Sequence, residues 1–232
     1  MPNYLSQQKS LVLQLEDSFN SKNYQSTVVE MRSDYENDKQ ICLTSVVFLP
    51  DYITQEIVNR VSRTLKSVEP SQYFYQADAM HLTIKNIRTI HDPPLFNDDD
   101  IEKVKHVFQE VIPKFISFEF SVEDLILFPT SISIMAYASV ELQKLVISLD
   151  KALQDVGVPD NKKYLSNSVF WGNITLCRFT KEPSEKLIKA VSAMRTIKIG
   201  SFNAEEVSLI TCNSVCNPAT RKILEEYKLS TV

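Results

Sequence analysis

The chain has 232 residues, 44% hydrophobic and 23% charged, with a formal charge of −4. This composition supports a globular protein with a sizeable core and excludes wholesale disorder, and the acidic balance argues against a surface that coats long nucleic acid. The three glycines, Gly157, Gly172 and Gly200, lie too far apart to build a dinucleotide fingerprint or a phosphate-cradling loop, which sets aside most dehydrogenases, kinases and P-loop enzymes.

No apolar run approaches the roughly 20 residues of a membrane span, so no membrane partner is expected. Met1–Gln8 is polar and lacks the charged-then-apolar pattern of a secretion signal, which points to a cytoplasmic location. Leu11, Leu15 and Phe19 recur at helical spacing, so Ser10–Asn20 is predicted as an amphipathic helix. With the polar stretch Ser33–Gln40 as a linker, residues 1–40 read as an N-terminal helical extension and residues 41–232 as a single bilobal domain. Ile41–Phe48 is apolar, β-branched and closed by Pro50, the pattern of a buried strand. Ile57, Val58, Val61 and Leu65 mark a helix face, and Met80–Ile90 reads as an alternating strand. Asp98–Asp100 precede Ile101, Val104, Phe108 and Val111, which makes them the acidic start of a helix rather than a metal site. Phe115–Phe128 and Ser131–Ala138 are strand-like. Glu141–Val156 carries a Leu142, Leu145, Val146, Leu149 and Leu153 stripe, with Gly157 placed as a left-handed cap. A loop (Val158–Ser168), a strand (Val169–Phe179), a helix from Pro183 through Met194 and strands at Ile197–Thr211 and Arg221–Leu229 complete the chain. Mixed strands with helices interleaved, without the regular alternation of a doubly wound parallel sheet, predict an α+β fold of two similar halves.

The four cysteines form no pair of Cys-x-x-Cys knuckles, so buried thiols are expected rather than disulfides or zinc. More informative are two similar segments, His81-Leu82-Thr83-Ile84 and Asn173-Ile174-Thr175-Leu176, 92 positions apart (173 − 81), each in a predicted strand. Side chains two apart on a strand share a face. His81 and Thr83 therefore point together, as do Asn173 and Thr175, while Leu82, Ile84, Ile174 and Leu176 face the core. Two polar pairs meeting across a cleft would suit a phosphate. Lys85 shares the parity of His81 and Thr83; it is a candidate for adding positive charge to the cleft, the alternative being a solvated lysine at a strand end.

The chain here resembles the two-histidine phosphoesterase superfamily, which includes 2′-5′ RNA ligase-like proteins and cyclic nucleotide phosphodiesterases. The family pattern, His-hydrophobic-Thr/Ser-hydrophobic once per lobe, is intact at His81–Ile84 and survives at Asn173–Leu176, followed by Cys177-Arg178-Phe179. The resemblance spans roughly Ile41 to Leu229. It implies two pseudo-symmetric lobes of antiparallel sheet flanked by helices around a central cleft. It also implies metal- and cofactor-independent action on a cyclic or 2′-5′ phosphodiester of a small nucleotide or RNA end. His81, Thr83 and Thr175 are then the catalytic candidates, with Asn173 and Lys85 as substrate-binding candidates.

Asn173 departs from the pattern, because a carboxamide hydrogen-bonds but does not transfer a proton near neutral pH. Neither His91, ten positions beyond His81, nor His106, between Lys105 and Val107 on a helix, is well placed to replace it. Tyr75, Tyr164 and Trp171 lie near the motifs as packing residues or as platforms for a base. Three readings follow: a phosphoesterase with a weakened acid–base pair, a nucleotide- or RNA-end-binding module that has lost its chemistry, and a scaffold acting through the Leu11/Leu15/Phe19 stripe.

Overall fold

A computed structural model describes residues 3–21, 23 and 27–231. In chain order its elements are α1 (Tyr4–Asn20), β1 (Ile41–Phe48), α2 (Asp51–Ile57), a π turn (Val58–Ser62), α3 (Arg63–Val68), β2 (Tyr73–Phe74) and β3 (His81–His91). Then follow α4 (Asp98–Val111), β4 (Phe118–Phe128), β5 (Ser131–Ala138), α5 (Val140–Asp155), β6 (Gly172–Arg178), α6 (Glu185–Ala193), β7 (Lys198–Ala204), β8 (Glu206–Cys212) and β9 (Lys222–Lys228). The strands form two antiparallel sheets, ordered β3-β1-β8-β9 and β2-β6-β5-β4-β7. The fold is the α+β, two-lobed arrangement that the element order predicts. Among the described residues no helix is long and apolar enough to cross a membrane.

Two helices cross between lobes. α2 follows β1 of the first sheet and packs on β7 of the second, while α5 follows β5 of the second and packs on β3 of the first. One apolar core therefore runs through both halves, joining Leu43, Leu82 and Ile87 with Phe120, Leu149 and Ile174. Local signals bound α4 and α5 close to where sequence places them. Asn97 and Asp100 form a reciprocal capping box for α4, and Gly157 takes φ +79° after α5.

Four expectations are corrected. α1 starts at Tyr4, because the Asn3 side chain accepts from Ser6 N–H and caps it there, and its buried stripe is Gln8, Val12, Leu15 and Phe19. That stripe packs on β4 and β5 beside Ile126, Met135 and Tyr137, so the stripe a scaffold would present lies against the domain. Ser33–Gln40 is no solvated linker: Tyr35 is buried and its hydroxyl donates to Phe179 O at 3.0 Å. Ile197–Thr211 is two strands, split at Glu205, that lie in different sheets. Val169–Trp171 joins no ladder. It is tied to α1 instead, with the Tyr4 hydroxyl accepting from Phe170 N–H and Gln8 Nε2 donating to Phe170 O.

Candidate functional site

β3 and β6, one from each sheet, lie against one another at the centre of the molecule. Their approach requires a glycine just before the second motif. A Cβ on Gly172 would stand 2.6 Å from Leu82 Cδ2, the residue between His81 and Thr83. Leu82, Ile174 and Leu176 are fully buried, as alternation predicts.

Both strands then break their alternation at the same place. In β3, Thr83 pairs with Val46 and Lys85 with Ser45, so Ile84 is an extra residue. In β6, Thr175 pairs with Ser133 and Cys177 with Ile132, so Leu176 is extra. A bulge of this kind shifts the side-chain parity of everything after it. The residues returned to the cleft are Asn86 and Arg178, not Lys85 and Cys177. His81, Thr83, Asn86, Asn173, Thr175 and Arg178 all line one cavity, three from each lobe at matching positions.

Lys85 is therefore corrected. It is 3% exposed, and its ammonium pairs with Asp150 at 2.8 Å and Asp160 at 2.9 Å, away from the cavity. Asp160 is itself buried, so Lys85→Met leaves a buried carboxylate without its cation. Denaturant unfolding should show a loss of about 3–5 kcal/mol.

The His81 Nδ1–H donates to Ala79 O at 2.8 Å, since a carbonyl only accepts; in the neutral ring the lone pair is then on Nε2. Beside it lies a sulfur cluster. Cys42 and Cys212 are cross-strand neighbours with sulfurs 3.6 Å apart, and Arg221 Nη1 is 3.8 Å from Cys216 Sγ. Cys216 sits in a turn with φ +51°, bridged by Asn213 Oδ1 accepting from Val215 and Asn217 N–H. Burial pushes the His81 imidazole down, but hydrogen bonding and charge from Cys216, with the Ala79 carbonyl, carry it above the ordinary histidine value. Cys216 is lowered in turn, by its hydrogen bond from Cys212 and by His81 and Arg221. All four cysteines are buried and unbridged. Among the described residues no group of three or more His, Cys, Asp or Glu is arranged to hold a metal ion.

Arg178, like Asn86, is a site residue that strict alternation misses. Its Nε donates to the Tyr75 hydroxyl at 3.1 Å and to Ser214 O at 3.0 Å, and among the described residues its terminal nitrogens are uncommitted. Tyr75 is thus a buried support for Arg178 rather than a base platform, and burial pushes its hydroxyl up to about 12. The Thr175 hydroxyl is 3.4 Å from Ser133 Oγ, which donates to it. The lining brings His81, Lys162 and Arg178 together with one carboxylate, Glu30, while Arg32, also on the lining, is paired with Asp38 at 2.8 Å. In a chain of net charge −4, this is a local basic pocket suited to an anion.

An apolar chamber adjoins the cavity and shares Thr83, Asn173, Thr175 and Arg178 with it, with Tyr164, Phe170 and Trp171 on its wall. Residues 27–29 reach both spaces and Glu30 the cavity alone; Thr27 N–H donates to Lys163 O at 3.3 Å and Thr130 Oγ1 to Val29 O at 2.7 Å. The stretch before β1 thus walls the cleft, which its polar composition does not announce. His91 and His106 stand elsewhere, exposed, His91 on Pro93 O and His106 beside Glu110.

No protein-family model matches the sequence, and no curated protein matches it. Solved structures do match. TT0787 of Thermus thermophilus is similar with a TM-score of 0.60 at 16% identity, over 82% of this chain and 98% of that one. A structure described as a phosphoesterase matches with a TM-score of 0.56 at 16% identity, over 83% of this chain and 100% of that one. E. coli LigT complexed with 3′-AMP matches with a TM-score of 0.58 at 14% identity, again over 83% of this chain and 100% of that one. The chain therefore has the LigT and phosphoesterase fold.

Proposed function

We propose that the protein is a two-histidine phosphoesterase-like enzyme acting on a cyclic or 2′-5′ phosphodiester of a small nucleotide or RNA end, without a metal or other cofactor. The observation that carries the reading is the paired triplet His81/Thr83/Asn86 and Asn173/Thr175/Arg178 lining one basic cavity. The Thr83 and Thr175 hydroxyls donate to non-bridging phosphoryl oxygens, and Arg178 offers its two terminal nitrogens as a charged fork. Nε2 of His81 takes a proton from the attacking water. Asn173 donates from its amide to a phosphoryl oxygen. The neighbouring chamber takes the base, against Trp171 or Tyr164. LigT has been crystallised with 3′-AMP, phosphate, ATP and NADP+, which supports a nucleotide-sized anion as the ligand class.

The second reading rests on Asn173 alone: a cleft that binds the same ligands and has lost turnover. Calorimetry with 2′,3′-cyclic AMP and a 2′-5′ dinucleotide, with chromatography of the same mixtures, separates the two. The enzyme reading expects binding and a nucleoside monophosphate product from the cyclic compound. Binding without product leaves the second reading, and no binding to any of them sinks both.

A further inference from the structure

Opening a cyclic phosphate needs two proton transfers, and with Asn173 in the second motif His81 accounts for one. The remaining group has to belong to the same cavity. Arg32 and Arg178 stay protonated at any working pH. The Tyr75 hydroxyl donates to Ser214 O at 3.0 Å, and Glu30 is a carboxylate exposed at the rim. The three lining cysteines sit around His81 itself. Lys162 remains.

Lys162 lines both the cavity and the adjoining chamber, as do Thr83, Asn173, Thr175 and Arg178, which puts it at their junction. Its backbone is fixed: Lys162 N–H donates to Asp160 Oδ1 at 2.6 Å and Lys163 N–H to Thr27 Oγ1 at 3.0 Å. Among the described residues no carboxylate lies within ion-pair distance of its ammonium, which sits 5.5 Å from the centre of the Tyr164 ring. Asp160, its nearest acidic neighbour in sequence, is already held by Lys85 at 2.9 Å and Asn86 at 3.2 Å. A partly buried ammonium without a counter-ion, beside a phosphate pocket, is available to substrate.

We propose that Lys162 is the second proton-transfer group of the cleft, donating to the leaving ribose oxygen the proton that Asn173 cannot supply. The proposal rests on the phosphoesterase reading above. As Nε2 of His81 takes a proton from water, the water oxygen bonds to phosphorus, the bond from phosphorus to one ribose oxygen breaks, and the Lys162 ammonium protonates that oxygen. Exchange with solvent then strips His81 and reprotonates Lys162. The surroundings suit an acid of this kind. Burial, with Arg178 and Lys85, lowers the ammonium from the ordinary lysine value and outweighs the opposing pull of Asp160 and Cys42. An amine lowered in this way gives up its proton more readily.

The test is the pH dependence of kcat/KM for 2′,3′-cyclic AMP in wild type, Lys162→Met, Lys162→Arg and Lys162→Met with Asn173→His. Wild type should rise with the deprotonation of His81 and fall with that of Lys162. Lys162→Met should lose about 10²–10⁴-fold and the falling limb with it. Lys162→Arg should keep KM but not kcat, because arginine carries the charge and withholds the proton. The double variant should regain turnover, with its falling limb moved into the imidazole range, and that recovery also shows the Lys162→Met protein to be folded. Lys162→Met within about threefold of wild type, or Lys162→Arg with the wild-type kcat and falling limb, overturns the role of Lys162 and leaves the phosphoesterase reading standing. Wild type that turns over no cyclic phosphate overturns that reading, and the role of Lys162 with it.

Discussion

His81→Ala is expected to lower kcat/KM for a 2′,3′-cyclic nucleotide by about 10²–10⁴-fold while leaving inorganic phosphate affinity close to wild type. The asymmetry follows from where the ring is held. Its Nδ1–H is committed to Ala79 O at 2.8 Å, so the side chain presents one basic nitrogen to the cleft, while Arg178 and Lys162 supply charge to the anion independently of it. Arg178 and the two threonines, which remain in the variant, hold the phosphate. Steady-state kinetics alongside phosphate calorimetry checks this. Turnover that survives the substitution would remove His81 from the chemistry, and loss of phosphate binding would make it a binding residue instead.

Arg178→Met is expected to act on the other quantity, weakening phosphate and cyclic nucleotide binding by about 10- to 150-fold, the worth of charged hydrogen bonds of about 1.5–3 kcal/mol. Tyr75 and Ser214 O hold Nε, so the guanidinium is pre-oriented and its terminal nitrogens meet the anion at little entropic cost. Arg178→Lys should recover only part of the loss, because a lysine cannot donate to Tyr75 and Ser214 and still present a fork. Calorimetry of both variants with phosphate reads the difference directly; equal affinity in Arg178→Met and wild type would take Arg178 out of the anion site.

Which of these residues the sequence reveals depends on whether local periodicity survives in the fold. His81, Thr83, Asn173 and Thr175 precede the bulges, so simple alternation places them correctly on one face with Leu82 and Ile174 behind them. Arg178 and Asn86 come after an extra residue, and a period of two assigns their face to Lys85 and Cys177. Each bulge is fixed by pairing with a neighbouring strand, β1 for one and β5 for the other, and the strand's own residues do not encode it. The 92-residue offset from 81 to 173 recurs from 86 to 178, so comparing the two segments beyond the four-residue motif was the available clue.

The same distinction explains the other differences. α4 and α5 carry their caps and stripes within themselves and fall within a residue or a few of where periodicity puts them. β7 and β8 form an almost continuous strand-like run, and only long-range pairing sends them to separate sheets at Glu205. Thr27–Glu30 and Lys162 lie in irregular chain with no periodicity to read, and the two stretches are held to the cleft by contacts more than a hundred positions apart, Thr27 with Lys163 and Val29 with Thr130.

Crystals soaked in phosphate test the convergence of the two triplets most directly. The anion should lie between the lobes, within hydrogen-bond distance of the Thr83 and Thr175 hydroxyls and the terminal nitrogens of Arg178, with His81 and Asn173 on opposite sides of it. Phosphate bound to one lobe only, or at a surface outside this cavity while the cleft stays empty, would contradict the account.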